Sequence, residues 1–150
     1  MKKKPTSELI SKHLTDNNWG EIEAHFNNAE FTSHMGITIS LDDPLAPKCM
    51  VKKISAFHLG GIGQDFINGA IISAVLDLAL GLTGLQHANK GNFATTNLNI
   101  DIAKAVQNGQ FYALSKCNHT IGKDLFSEAT IYDCNDLPCV YATGKIRVGI

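Results

Sequence analysis

The chain has 150 residues, 44% of them hydrophobic and 18% charged, with a formal net charge of −1. That make-up fits one compact globular domain and excludes a disordered or membrane-spanning chain. Arg147 is the single arginine and the longest basic run is Lys2-Lys3-Lys4, which excludes the basic, arginine-bearing surface of a nucleic-acid binder.

Taken in order, the chain opens with polar residues after the lysines rather than an apolar run. No secretory signal peptide is expected, and the expected location is cytoplasmic. Pro5-Thr6-Ser7-Glu8 begins a short amphipathic helix with Leu9, Ile10, His13 and Leu14 on one side. Thr6 or Ser7 would cap it, and Asp16-Asn17-Asn18 would end it. A second helical piece spans Trp19 to Asn27, and this region is expected to pack over a sheet edge. Residues 1–30 are therefore set apart as an N-terminal helical extension, with a single domain over 31–150.

Strand alternation appears from about Met35 to Leu41, and again from Cys49 to Ile54 after Pro44 and Pro47, predicting a loose hairpin. A glycine-rich loop from His58 to Ile67 follows, with a helix after it. Four more strands are predicted: Phe93 to Ile102, Phe111 to His119, Leu125 to Tyr132 and Cys139 to Val148. Turns at Asn108-Gly109, Gly122-Lys123 and Asn135 to Pro138 separate them, and short turn-bounded links read as a meander. One apolar helix within an otherwise antiparallel pattern predicts an α+β layered fold.

The organising element is the helix that begins at Asn68-Gly69. Ile71, Ile72, Val75, Leu76, Leu78, Leu80 and Leu82 point all round it, and Asp77 is its one charged residue between Ala70 and Leu85. Such a helix is expected to be buried. A carboxylate there is either a structural hydrogen-bond partner or an acid placed for chemistry. Asn68 is the expected N-cap, and the Gly69 amide lies at the positive end of the helix dipole, where an oxyanion can be held. Eight residues of helix separate Gly69 from Asp77 by about 12 Å. To act on one carbonyl, the two must come from two chains with antiparallel helices, which is an isologous dimer.

The loop, the Asn68-Gly69 pair and the Asp eight residues beyond Gly69 resemble the hotdog-fold acyl-CoA thioesterases. Within these, the sequence is most similar to the phenylacetyl-CoA thioesterase-like family. The likeness continues through 93–100, 122–125 and 142–145, covering roughly 35–148. It implies a curled antiparallel sheet wrapped round one long helix. It also implies hydrolysis of an acyl-CoA or related acyl thioester without metal or cofactor, by a homodimer that can double to a tetramer. Asp77 would be nucleophile or general base, and the Gly69 amide of the partner chain would be the oxyanion donor. Thr95 would orient the carboxylate or the water, although threonines are also simply good strand formers.

This chain departs from the family at two places: many relatives have His where Asn68 stands, and Asn where Ile62 stands. Asn68 can donate to a carbonyl oxygen but cannot act as acid or base. Gln64 or His58 would replace the upstream polar group. For the coenzyme phosphates the candidates are Lys104 and Lys123, the latter in the Gly122-Lys123 turn that resembles the nucleotide-side loop. The departures keep open an alternative, a non-catalytic acyl-thioester binder or scaffold. Cys49, Cys117, Cys134 and Cys139 form no Cys-x-x-Cys pair, so zinc is not expected, and free thiols are expected over disulfides.

Overall fold

The computed structural model describes residues 6–61 and 63–149. The expectations at Lys2-Lys3-Lys4, Pro5 and Ile62, and the capping roles of the Thr6 and Ser7 side chains, lie outside what is described. In chain order come α1 (Thr6–Thr15), α2 (Trp19–Asn27), α3 (Glu30–Met35), β1 (Ile37–Ser40), β2 (Lys48–Val51), α4 (Gly69–Leu82), β3 (Phe93–Ile102), β4 (Phe111–Ile121), β5 (Asp124–Tyr132) and β6 (Pro138–Val148). The strands form one antiparallel sheet in the order β1-β2-β4-β5-β6-β3. The sheet curls around α4, which is the architecture that the family resemblance implied.

Two expectations are corrected. First, the strands do not form a simple meander, because β3 crosses to the far edge and pairs with β6 rather than β4. Asn108 therefore does not turn a hairpin. Its N–H donates to the Asp65 carbonyl and its side-chain amide to the Gln64 carbonyl, tying the β3–β4 connection to the loop before α4. Second, α4 is not buried all round. Ile71, Ile72, Val75, Leu76, Ala79, Leu80 and Leu82 are buried, whereas Gly69, Ala70 and Asp77 are exposed and Ser73, Ala74, Leu78 and Gly81 half-buried. A sheet can cover only one side of a helix, and the uncovered stripe is the one with small residues and the carboxylate.

The covered side is fixed by apolar packing and by two buried hydroxyls. Ser115 of β4 donates to the Ala79 carbonyl at 2.6 Å, and Ser127 of β5 lies 2.7 Å from the Thr83 hydroxyl, which donates to the Leu80 carbonyl. These bonds satisfy polar groups at the C-terminal end of α4 that burial would otherwise leave unpaired. Helix and sheet meet tightly at Gly144. A Cβ there would stand 2.9 Å from Leu80 Cδ1 and 3.0 Å from the Asn97 carbonyl oxygen. Leu80 is fully buried, and Asn97 sits in the β3–β6 ladder, so neither can retreat freely. Gly144→Ala is expected to destabilise the fold by about 1–3 kcal/mol through overpacking. A melting temperature lower by about 2–4 °C per kcal/mol would register it in a thermal scan, and an unchanged value would contradict the tight contact.

The N-terminal helices cap the edge strand β1. The Asn27 side chain accepts from the Ile39 N–H at 2.7 Å and donates to the Ile39 carbonyl at 3.0 Å, while Glu23 accepts from the Leu41 N–H. An edge that would otherwise offer free backbone groups is closed by side chains. At the opposite edge, the ten-residue β3 has no strand partner on its outer side among the described residues. All four cysteines are free, and burial pushes the Cys49 thiol up to about 12. No helix among the described residues is long and apolar enough to cross a membrane.

Candidate active site

Asp77 and Thr95 line one cavity of about 350 Å³, walled by Phe26, Leu78, Leu82 and Phe93. Thr95 reaches it because of a register shift in β3, where Thr95 pairs with Ile146 and Asn97 with Lys145, leaving Thr96 as the extra residue of a bulge. The Thr96 hydroxyl donates to the Lys145 carbonyl at 3.2 Å. Bulges re-aim neighbouring side chains, and here the Thr95 hydroxyl sits 3.7 Å from where a Gly81 Cβ would stand. The absent side chain at Gly81 leaves that hydroxyl room beside α4, one turn beyond Asp77. A larger depression of about 480 Å³ spans β3 to β6 and includes Asn99, Asn118, His119 and Lys145. None of the candidate residues from the sequence lines it.

The start of α4 has a different construction. Asn68 is the N-cap with extended backbone, φ −60° and ψ 137°, and its side-chain oxygen accepts from the Ala70 N–H at 2.7 Å. First-turn amides have no partner within their own helix, and the cap takes the one at Ala70, not Gly69. Outside its chain neighbours and its own helix backbone, no heavy atom of the described residues lies within 4 Å of where a Gly69 Cβ would stand, so there is room beside Gly69 at the helix start. His58 is not part of this surface. It is buried, its Nδ1 accepts from the Ser55 N–H and its Nε2 donates to the Met35 carbonyl at 2.7 Å. Its own carbonyl accepts from the Asn68 N–H at 2.8 Å. The histidine thus holds the cap residue in place and has no ring nitrogen left for a substrate. Gln64 is exposed on the same loop.

The two lysines lie at opposite ends of the sheet. The Lys104 N–H donates to the Cys139 carbonyl, and the Lys123 carbonyl accepts from the Val148 N–H. From Cys139 to Val148 the strand advances nine residue steps, about 30 Å. Lys104 lies on the α4 N-terminal side, where Val106 accepts from the Ile67 N–H. It also helps hold the buried Asp133 carboxyl low: burial works against ionisation there, but N–H donors from Leu137 and Asn135, the Cys139 thiol and Lys104 outweigh it. Lys123 lies beside Val148, which pairs with Phe93 of the cavity wall. Gly122, at φ 61°, gives that turn its left-handed step. The adjoining Asp124 is gripped in two-pronged fashion by Arg147 at 2.8 Å, which holds its carboxyl below the usual range. The single arginine is thus engaged.

Within one chain, then, the candidates fall into two groups. Asn68, Gly69, Gln64 and Lys104 gather at the start of α4; Asp77, Thr95, Gly122 and Lys123 gather toward its other end. Phe26 was not singled out in the sequence, since no local pattern ties residue 26 to residues 77 or 93. Among the described residues no three His, Cys, Asp or Glu side chains cluster to hold a metal.

No protein-family model and no curated protein sequence matches the chain. Solved structures do. A Shewanella oneidensis protein related to the thioesterase superfamily is 15% identical, with a TM-score of 0.76 over 94% of this chain and 98% of that one. The E. coli PaaI protein from the phenylacetic acid degradation operon is 16% identical, with a TM-score of 0.72 over 92% and 94%. AziG from S. sahachiroi is 12% identical, with a TM-score of 0.69 over 79% and 95%. At such identities the likeness establishes the fold, and the chain has the hotdog fold.

Proposed function

We propose that this chain is a thioesterase that hydrolyses an acyl-CoA or related acyl thioester, in sites built across a two-fold dimer. What carries the reading is the exposed Asp77, which lines one apolar-walled cavity together with Thr95, with Gly69 at the start of the same helix and room beside it. Two further features support the dimer. The uncovered stripe of α4 is rich in small residues, and the ten-residue β3 is an edge strand with no second strand partner among the described residues. A second copy that pairs its β3 with this one and lays its α4 antiparallel brings its Gly69 group to this Asp77 group.

Chemically, Asp77 either deprotonates a water that attacks the thioester carbonyl, or attacks it directly to give an anhydride that water then hydrolyses. In both cases the C–S bond breaks, the coenzyme leaves as a thiolate that takes up a proton, and Thr95 orients the carboxylate or the water. The second copy's Gly69 N–H meets the negative charge growing on the carbonyl oxygen, where a fixed dipole costs no reorganisation. The amide NH₂ of the second copy's Asn68, whose oxygen is engaged in capping, is free to donate to the same carbonyl. The alternative of a binder without turnover is motivated by Asn68, which cannot exchange a proton as a histidine would. Thiol release measured across acyl-CoAs, alongside equilibrium binding, separates the two. Binding without release, at any chain length, would overturn the enzymatic reading.

The coenzyme phosphates are assigned to Lys123 of the cavity's own chain and, across the two-fold, to Lys104 of the second copy. Lys123→Ala is expected to raise KM for an acyl-CoA several-fold with kcat nearly unchanged, the pattern of lost uniform binding. The wild-type advantage should shrink with added salt, because exposed charges are screened over about 8 Å at physiological ionic strength. A short thioester without the nucleotide should be unaffected. Equal losses on both substrates would make Lys123 structural.

A further inference from the structure

The curled sheet does not close on itself: β1 and β3 are its two edges. Near the C-terminal half of α4 the N-terminal extension bridges that gap, with α2 against β1, and α1 against α2 and the short turn of helix at Leu85–Lys90 that leads into β3. The residue that α2 delivers into the gap is Phe26, which faces Phe93 of β3 and Asp77 and Leu82 of α4 across the cavity. The backbone around it is pinned on both sides. The Thr32 hydroxyl donates to the Phe26 carbonyl, and the Asn27 amide grips the free edge of β1 at Ile39. The ring is further braced edge-on by His25 at 5.5 Å between centroids. The backbone that carries the ring is thus fixed, and moving it means unpicking the helix from the sheet edge.

We infer that Phe26 is a specificity-determining residue, bounding the acyl end of the cavity and restricting the site to short acyl chains. This rests on the thioesterase reading and adds to it the role of the extension. The polar groups among the residues lining the cavity are the Asp77 carboxylate and the Thr95 hydroxyl, so a thioester carbon held at Asp77 points its acyl group at aromatic and aliphatic walls. An extended fatty chain would have to pass the Phe26 ring.

The test uses the full chain and two series of probes, acyl-CoAs from four to sixteen carbons and the matching thioethers that cannot be hydrolysed. Wild type is expected to bind and turn over the short members and to lose both as the chain lengthens. Phe26→Leu and Phe26→Ala are expected to improve the long members relative to the short by about tenfold or more, the low end of what a methylene-sized change in an apolar pocket does. Phe26→Trp is expected to shift preference the other way. Circular dichroism checks that each variant is folded, and Phe26→Leu keeps most of the packing if Phe26→Ala does not fold. Folded variants with the wild-type length profile would overturn the inference, and so would a wild type that prefers long chains. If thioether binding shifts as expected while no protein releases thiol, the wall stands and the thioesterase reading fails. If no thioether binds at any length, both fall.

Discussion

Asp77→Asn is expected to lower kcat for acyl-thioester hydrolysis by about 10³-fold or more, with the fold unchanged. A positioned general base or nucleophile contributes on the order of 10²–10⁴-fold, and the amide keeps the size of the side chain while removing its basicity. Little structural loss should accompany the change, because Asp77 is exposed on the uncovered stripe of α4 rather than paired inside the core. Thiol release gives the rate, and a thermal melt within a degree or two of wild type shows that the fold survived. Turnover within a few-fold of wild type would remove Asp77 from the chemistry and the thioesterase reading with it.

Gly69→Pro removes the proposed oxyanion donor with little disturbance of the helix. Proline is well tolerated at the first helical position, where the missing N–H has no intrahelical partner. Asn68 already has the extended backbone that a following proline requires. The expected result is a loss of about 10²–10³ in kcat, the usual effect of deleting one oxyanion-hole donor. Mixing this variant with Asp77→Asn then tests whether each site draws on two chains. Random reassociation makes half the dimers hybrids, each with one intact site, so activity should return to about a quarter of wild type. No recovery on mixing, with exchange confirmed by mass spectrometry, would mean that both residues serve a site within one chain. The helical distance makes that outcome hard to reconcile with a single carbonyl.

The elements were legible in the sequence to different degrees. The four long strand segments and α4 match their expected positions within a few residues, because alternation and turn residues are local properties of the chain. The short α3 was not expected; Glu30–Met35 is too brief a stretch to show helical periodicity. The neighbour of β3 was misread because strand order is not local. A meander and a crossover to the far edge use the same strand patterns, and the difference lies in where the β3–β4 connection is tied, by Asn108 to Asp65 and Gln64.

For the candidate site, the residue types were readable in the sequence and their arrangement was not. A lone carboxylate on an apolar helix and an Asn-Gly helix start are visible as residue types, and helical rise alone places them about 12 Å apart. That α4 turns Asp77 outward follows only from the sheet, which covers one side of the helix and leaves the other to solvent in the protomer. The inward aim of Thr95 depends on a bulge at Thr96, set by its pairing with β6. Phe26 joins the cavity because side chains of α2 grip the backbone of β1. Periodicity, capping and charge act over a few residues and are written into the chain. Which strand becomes an edge, which helix face stays bare and which distant ring closes a cavity depend on contacts between residues far apart in sequence, and those exist only once the sheet has curled around the helix.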